Sequence, residues 1–347
     1  MKSEITIAVS GLNAIDSPGP GVGVIRALKA SHEFKCKIIG LSYESLEPGV
    51  YLHDLVDKSY QIPYPSAGSD QLFNRLKYIH QQEMIDLIIP NFDAELSNFI
   101  RITPRLREMG VNTFLPELNL LEQLDKMHLH EFGKKQGIKV PSTKFITSPD
   151  DLVNSEHDLD FPLMVKGKYY EAFPAENKEQ LIHFYHKLAA KWGLPVVIQE
   201  IVKGTEIDVV GLGDGQGETI GAIPMRKLYI TDKGKGWSGV TLEDEKLIEI
   251  TRKFVASTKW RGGFELEFMR TDRDEFYLLE INPRFPAWVY TSVAAGQNLP
   301  EALVMMASGM KIQPFTEYKV GKMFVRYAWE LVTDIEEFQK LSTFGEL

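Results

Sequence analysis

Three short apolar runs near the N-terminus limit the fold more than any other feature. "ITIAVS" (residues 5–10), "KIIGL" (37–41) and "IDLIIP" (85–90) are continuous or nearly so. A strand with one wet face alternates in polarity, whereas a strand covered on both faces reads as an unbroken apolar run. Leu72, Leu76 and Ile79 repeat at helical spacing between the second and third runs. The order is β-α-β, which predicts a small doubly wound parallel sheet.

The organisation changes near residue 117. Leu120, Leu121, Leu124 and Met127 line one face of a helix that runs to "KKQG", with Gly137 as its C-terminal cap. "FPLMVK" (161–166) and "VVIQEIV" (196–202) read as strands. Leu181, Phe184, Tyr185, Leu188 and Trp192 form a helical stripe between them. After this the chain is mostly hairpins. "TEIDVVGLGDGQGETIGAIPMR" turns at Asp214-Gly215, and "GGFELEFMR" and "EFYLLEIN" flank "TDRD". A helix carrying Leu247, Ile250 and Phe254 separates the hairpins, and "VGKMFVRYAWEL" reads as a further strand. The fold class is therefore α/β plus α+β.

Composition narrows the partners. A formal net charge of −9 makes a nucleic-acid backbone an unsuitable ligand. Any anion must be held by locally placed cations. Cys36 is the single cysteine, which rules out a disulfide framework and a cysteine metal cage. The N-terminal apolar run is too short for a signal peptide, and no stretch approaches a membrane span, so the expected location is cytoplasmic.

Chemistry concentrates in "YLLEINPR" (277–284). An apolar strand ends there in a carboxylate, a carboxamide and a guanidinium. Side chains alternate along a strand, so Glu265 and Glu267 share one face, and Leu278, Glu280 and Asn282 share another. If Glu267 and Glu280 point to the same side, two carboxylates and an amide oxygen meet. Such an oxygen-only site suits Mg²⁺, and Arg284 just beyond it suits a phosphate oxygen. Glu265 by itself reads as a residue of a solvated strand face. "SPGPGVGVIRAL" (17–28) opens a helix after the first strand, but its glycine spacing is not that of a dinucleotide fingerprint. Phe285 and Trp288 follow the cluster, and either core packing or an apolar substrate portion accounts for them. His128 and His130 read as helix-surface residues.

"YLLEINPRF", preceded by "GGFELEF", resembles the metal-binding end of the ATP-grasp superfamily, in the branch of carbamoyl-phosphate synthetase and biotin carboxylase. Four further segments resemble that family in the same order: "LDKMHLHEFGKKQGIKVPST", "FPLMVKGK", "VVIQEIVKGTE" and "AAGQNLPEAL". The resemblance implies a Rossmann-like pre-ATP-grasp domain over 1–117, an ATP-grasp small subdomain over 118–203 and a large subdomain with the metal site over 204–347. It implies phosphate lysines at Lys126 and Lys166. It also implies an adenine hinge through Gln199, Glu200, Ile201 and Val202, and a ribose acceptor at Glu206. Glu267, Glu280 and Asn282 become ligands to one or two Mg²⁺, with Mn²⁺ as a substitute. Arg284 and Arg226 lie near the transferred phosphoryl group, and "TDKGKGWSGVT" resembles a mobile substrate-side loop.

The family's glycine-rich lid is missing. "VKGKYYEAFPAENKE" has only Gly167, so Lys168 is the alternative phosphate contact. The implied activity is an ATP-dependent carboxylate–amine ligase that works through an acyl phosphate on an amino acid or peptide-like substrate. The alternative is an ATP-binding module of the same fold without ligase turnover. Implied partners are carboxylate and amine substrates, with no nucleic acid, no membrane, and a homodimer left open.

Overall fold

The computed structural model describes residues 4–15, 17–123, 128–151, 160–167, 171–232 and 234–347. The chain divides into two compact units. The larger comprises Met1–Glu122, Asp208–Leu266 and Asn282–Leu347; the smaller comprises Gln123–Ile207 and Glu267–Ile281. The secondary structure is mixed, with one parallel sheet and two antiparallel ones.

The parallel sheet belongs to the larger unit. Its strands are β1 (Glu4–Val9), β2 (Lys35–Ser42), β3 (Lys58–Gln61), β4 (Leu87–Ile89) and β5 (Asn112–Thr113). They are ordered β3-β2-β1-β4-β5, and all four pairs are parallel. This is the doubly wound arrangement that the unbroken apolar runs predict. The helix Ser69–Glu83 buries Leu72, Phe73, Leu76 and Ile79, and the helix Asp93–Glu108 buries Leu96, Phe99, Ile102 and Leu106. Together with Ile39, Leu41 and Ile88, all of these except Leu96 make one apolar cluster.

The glycines of "PGPGVG" serve close packing. A Cβ at Gly21 would lie 2.1 Å from the Ser10 carbonyl, and the Gly21 amide donates to the Gly11 carbonyl at 2.9 Å. The helix Pro20–Lys29 is thereby fastened to the end of β1.

The smaller unit holds a four-stranded sheet, ordered β6-β9-β7-β8. Its strands are β6 (Thr143–Ile146), β7 (Leu163–Lys166), β8 (Ala172–Ala175) and β9 (Val196–Glu200). The helix Lys178–Trp192 places Leu181, Tyr185 and Leu188 in its core with Val165 and Ile198. The strand expected over 196–202 stops at Glu200; Ile201 and Val202 lie in the connection to the next strand. The helix expected from Leu120 appears as Leu118–Gln123 and Leu129–Gln136, and Leu124 and Met127 lie outside the described residues. Gly137 caps it with φ +67°.

The third sheet is ordered β14-β13-β10-β11-β12-β15. Its strands are β10 (Thr205–Asp214), β11 (Thr219–Ile230), β12 (Gly236–Thr241), β13 (Arg261–Arg270), β14 (Phe276–Asn282) and β15 (Met323–Val325). Asp214 Oδ1 accepts from the amides of Gln216, Gly217 and Glu218, so "GDGQG" is a turn, as expected. One expectation is corrected. "TDKGKGWSGVT" is not a loop throughout, because residues 236–241 form β12 and pair antiparallel with β11. The expected strand near 320–331 shrinks to β15. Beyond it the helix Ile335–Phe344 brings Leu347 beside β3, where Leu347 and Ser59 exchange backbone hydrogen bonds of 2.8 Å. No described helix is long and apolar enough to cross a membrane.

Candidate active site

In the smaller unit, Lys166 ends β7 opposite Val197 of β9. Gln199 lies two residues further along β9, on the same face. Lys166 Nζ donates to Gln199 Oε1 at 2.6 Å, and Gln199 Nε2 donates to Thr143 Oγ1 at 3.0 Å. A buried carboxamide thus fixes the lysine head instead of letting it snorkel to bulk water. The Glu200 amide is taken by the Ser142 carbonyl at 2.9 Å, and Glu200 Oε2 accepts from the Ser142 amide at 3.1 Å. Glu200 is therefore tied to the segment preceding β6.

Glu206 and Glu267, both half-buried, each bring a carboxylate oxygen within 4.8 Å of the other. Two carboxylates at that range repel unless a cation or a proton lies near. Glu206 therefore stands with the acidic residues, a place its expected role as a ribose acceptor did not anticipate. Glu280 is half-buried on β14. Lys126 and Lys168 lie outside the described residues.

In the larger unit, Glu265 is the centre of a hydrogen-bonded cluster and only 6% exposed. Its Oε1 accepts from Trp288 Nε1 at 2.6 Å, and its Oε2 accepts from Asn282 Nδ2 at 3.1 Å. Arg284 Nη1 lies 3.5 Å from the same Oε2. Arg284 Nη2 donates to Asn282 Oδ1 at 3.2 Å and to Asp93 Oδ2 at 3.1 Å. Asp93 opens the helix Asp93–Glu108, where a carboxylate is favoured by the helix N-terminus. The solvated-face reading of Glu265 is overturned, because the carboxamide at the end of β14 and an indole beyond it enclose the carboxylate. Asn282 Oδ1, the expected cation ligand, here accepts from Arg284.

Arg226 is exposed on β11 opposite Val240 of β12. The inward basic residue is its neighbour Lys227, whose Nζ lies 3.2 Å from Asp208 Oδ2, with side chains 7% and 1% exposed. Sequence reasoning passed over Arg326, just beyond β15. Its Nε donates to the Gly236 carbonyl at 3.0 Å. Burial pulls its guanidinium below the usual value, and the charge of Glu265 pushes it back up. The alternation in "MFVRYAW", with Arg326 among apolar residues, was the available signal.

The donors suit a hard divalent cation. Glu206 and Glu267 offer oxygen only, whereas Glu280 is not among the carboxylates that lie within 4.8 Å of one another. Each unit holds a cation fixed by polar neighbours, Lys166 in the smaller and Arg284 in the larger.

Residues 194–328 match a family model described as "ATP-grasp in the biosynthetic pathway with Ter operon". Over 209 residues the chain is 26% identical to the carbamoyl phosphate synthase large chain of Vibrio cholerae serotype O1, covering 56% of this chain and 19% of that protein. It is 28% identical over 173 residues to the D-alanine–D-alanine ligase of Francisella tularensis subsp. novicida, covering 46% and 56% of the two chains. The chain thus spans about a fifth of the length of its carbamoyl phosphate synthase relatives. Its fold matches biotin carboxylase from Campylobacter jejuni with a TM-score of 0.71 at 16% identity, over 92% of this chain and 74% of that one. Residues 194–328 thus resemble an ATP-grasp domain, and the chain as a whole shares the fold of biotin carboxylase.

Proposed function

We propose that the protein is an ATP-dependent carboxylate–amine ligase, and that residues 1–117, 118–203 and 204–347 act as its Rossmann-like domain and its small and large ATP-grasp subdomains. The observation that carries this reading is the placement of Arg284, just past the strand that bears Glu280 and Asn282. Its guanidinium is oriented by Asp93 and Asn282 and backed by Glu265. A cation fixed in that way is prepared to receive an anion without reorganising.

In this reading Lys166, held by Gln199, neutralises phosphate charge, with Lys126 and Lys168 as further contacts. Gln199 to Val202 pass along the adenine, largely through backbone groups. Glu267, Glu280 and Asn282 hold the divalent cation, and Glu206 serves it or the ribose. When bound, Mg²⁺ supplies charge neutralisation across the phosphates. An oxygen of the substrate carboxylate attacks the γ-phosphorus, and the bond to the β-phosphate oxygen breaks, releasing ADP. The amine then attacks the acyl carbon, loses a proton, and expels phosphate as the C–N bond forms. No protein nucleophile is needed, since phosphoryl transfer is chiefly positioning and charge stabilisation. Arg284 steadies the transferred group, with Arg226 as a second, exposed cation. The D-alanine–D-alanine ligase likeness supports an amino acid or peptide acceptor.

The test is a panel of amino acids and short peptides, scored for ADP release with mass spectrometry of the products. The expected result is ADP formation that requires both an acid and an amine, together with an amide product. Tight Mg-ATP binding with no turnover on any acid–amine pair would favour a nucleotide-binding module instead.

A further inference from the structure

β15 is the last strand of its sheet, and its described strand partner is β12 alone. One edge of β15 therefore offers backbone donors and acceptors to solvent, a feature that proteins normally blunt with charge or cover. Here the edge carries apolar side chains. Met323 is 60% exposed, Val325 60%, Tyr327 69% and Trp329 74%. These residues alternate with partly buried Phe324 and Arg326, so they belong to one face of an extended segment. Tyr327 and Trp329 meet edge to face, with ring centroids 5.2 Å apart. The same face continues across the sheet. Val325 is opposite Ser238, and Ser238 is opposite Tyr229, itself 66% exposed.

From these exposures the five side chains present roughly 600 Å². That is at the top of what a monomer ordinarily leaves bare, about 300–600 Å². It approaches the ~800 Å² per partner of a standard interface.

The segment is complementary to itself. Laid antiparallel against a second copy about a two-fold axis at Arg326, Lys322 faces Glu330, Met323 faces Trp329, and Val325 faces Tyr327. Opposite charges and apolar–aromatic pairs both favour antiparallel pairing. At the axis the Arg326 guanidinium is turned away to the Gly236 carbonyl and the Glu265 charge, which relieves the repulsion between the two copies. A two-fold contact requires just this kind of self-matching patch.

We infer that residues 322–330 are the interface of a homodimer, in which β15 of one copy pairs edge to edge with β15 of a second copy. Pairing lengthens β15 beyond Val325 and joins the two six-stranded sheets.

Sedimentation velocity on the full chain at micromolar concentrations tests the state, with Val325→Lys and Trp329→Glu as variants. Both positions are solvent-facing, so the core is untouched. The register is tested in a Cys36→Ser background by mixing a Val325→Cys chain with a Tyr327→Cys chain under mild oxidation. Opposite positions come close enough for a disulfide, whereas diagonal ones do not. The expected result is a wild-type dimer, a halved sedimenting mass in both variants, and a disulfide in the mixed sample. A wild-type monomer, a dimer unaffected by both substitutions, or no mixed disulfide would overturn the inference. A monomer that co-sediments with phosphatidylglycerol vesicles would also overturn it and assign the patch to a lipid surface.

Discussion

Replacing Glu265 by Gln should be one of the costliest single-atom changes in the larger unit. The carboxylate accepts from Trp288 and Asn282 and balances Arg284. A glutamine amide has one oxygen. If that oxygen keeps the Trp288 indole, the new NH₂ group faces the Asn282 NH₂ and the Arg284 guanidinium, donor against donor. Hydrogen bonds to charged groups contribute about 1.5–3 kcal/mol each. Removing one member of a buried ion pair costs about 3–5 kcal/mol. Arg284 retains Asp93, which offsets part of the loss. We therefore expect Glu265→Gln to destabilise by about 3–5 kcal/mol. Trp288→Phe, which removes one donor to the carboxylate and leaves the charge paired, should lose about 1.5–3 kcal/mol. Urea denaturation of both variants measures this as a drop in midpoint at unchanged slope. A Glu265→Gln protein within about 0.5 kcal/mol of wild type would refute the view that this carboxylate organises the cluster, since such a difference is typical of a surface substitution.

Glu47 gives a pH prediction. Burial pushes its carboxyl up to about 7 from 4.5, against the pull of the Tyr43 and Glu44 amides. The folded state then keeps this proton to higher pH than the unfolded state does. Its contribution is full below about 4.5 and is lost as pH rises through about 7, a decline of roughly 3 kcal/mol that Glu47→Gln should remove from urea midpoints measured across that range. Gly263→Ala would set a Cβ 2.6 Å from the ring of Phe285, itself 2% exposed; a loss of about 1–3 kcal/mol in thermal or urea unfolding is expected. Lys166→Met should weaken ATP binding by roughly 10- to 100-fold in a calorimetric titration, the equivalent of one charge-assisted contact, while the apolar stem preserves the fold.

The parallel sheet was legible because doubly covered strands leave unbroken apolar runs, and the two hairpins because Asp214-Gly215 and "TDRD" mark their turns. The helix Asp93–Glu108 was harder to see. Pro104 lies within it, and the charged Glu95 is among its buried residues. β12 was hidden by glycines whose small size lets strands approach: a Cβ at Gly239 would lie 2.2 Å from Met225 Sδ. Local spacing singled out Glu280, Asn282 and Arg284, which sit at or beside the end of an apolar strand, while Lys166 was singled out by resemblance alone. It misjudged Glu265 because burial is a tertiary property, decided by an indole 23 positions away in the chain. It likewise missed Lys227 and Arg326, whose inward direction depends on the pairing of β11, β12 and β15.

The most direct measurement of the central claim is a titration of ATP into the protein with and without Mg²⁺, repeated on Glu267→Gln and Glu280→Gln. The account predicts Mg²⁺-dependent binding in the wild type and a loss of that dependence in both variants. Binding of equal strength in all three proteins, or no ATP binding by the wild type in the presence of Mg²⁺, would contradict it.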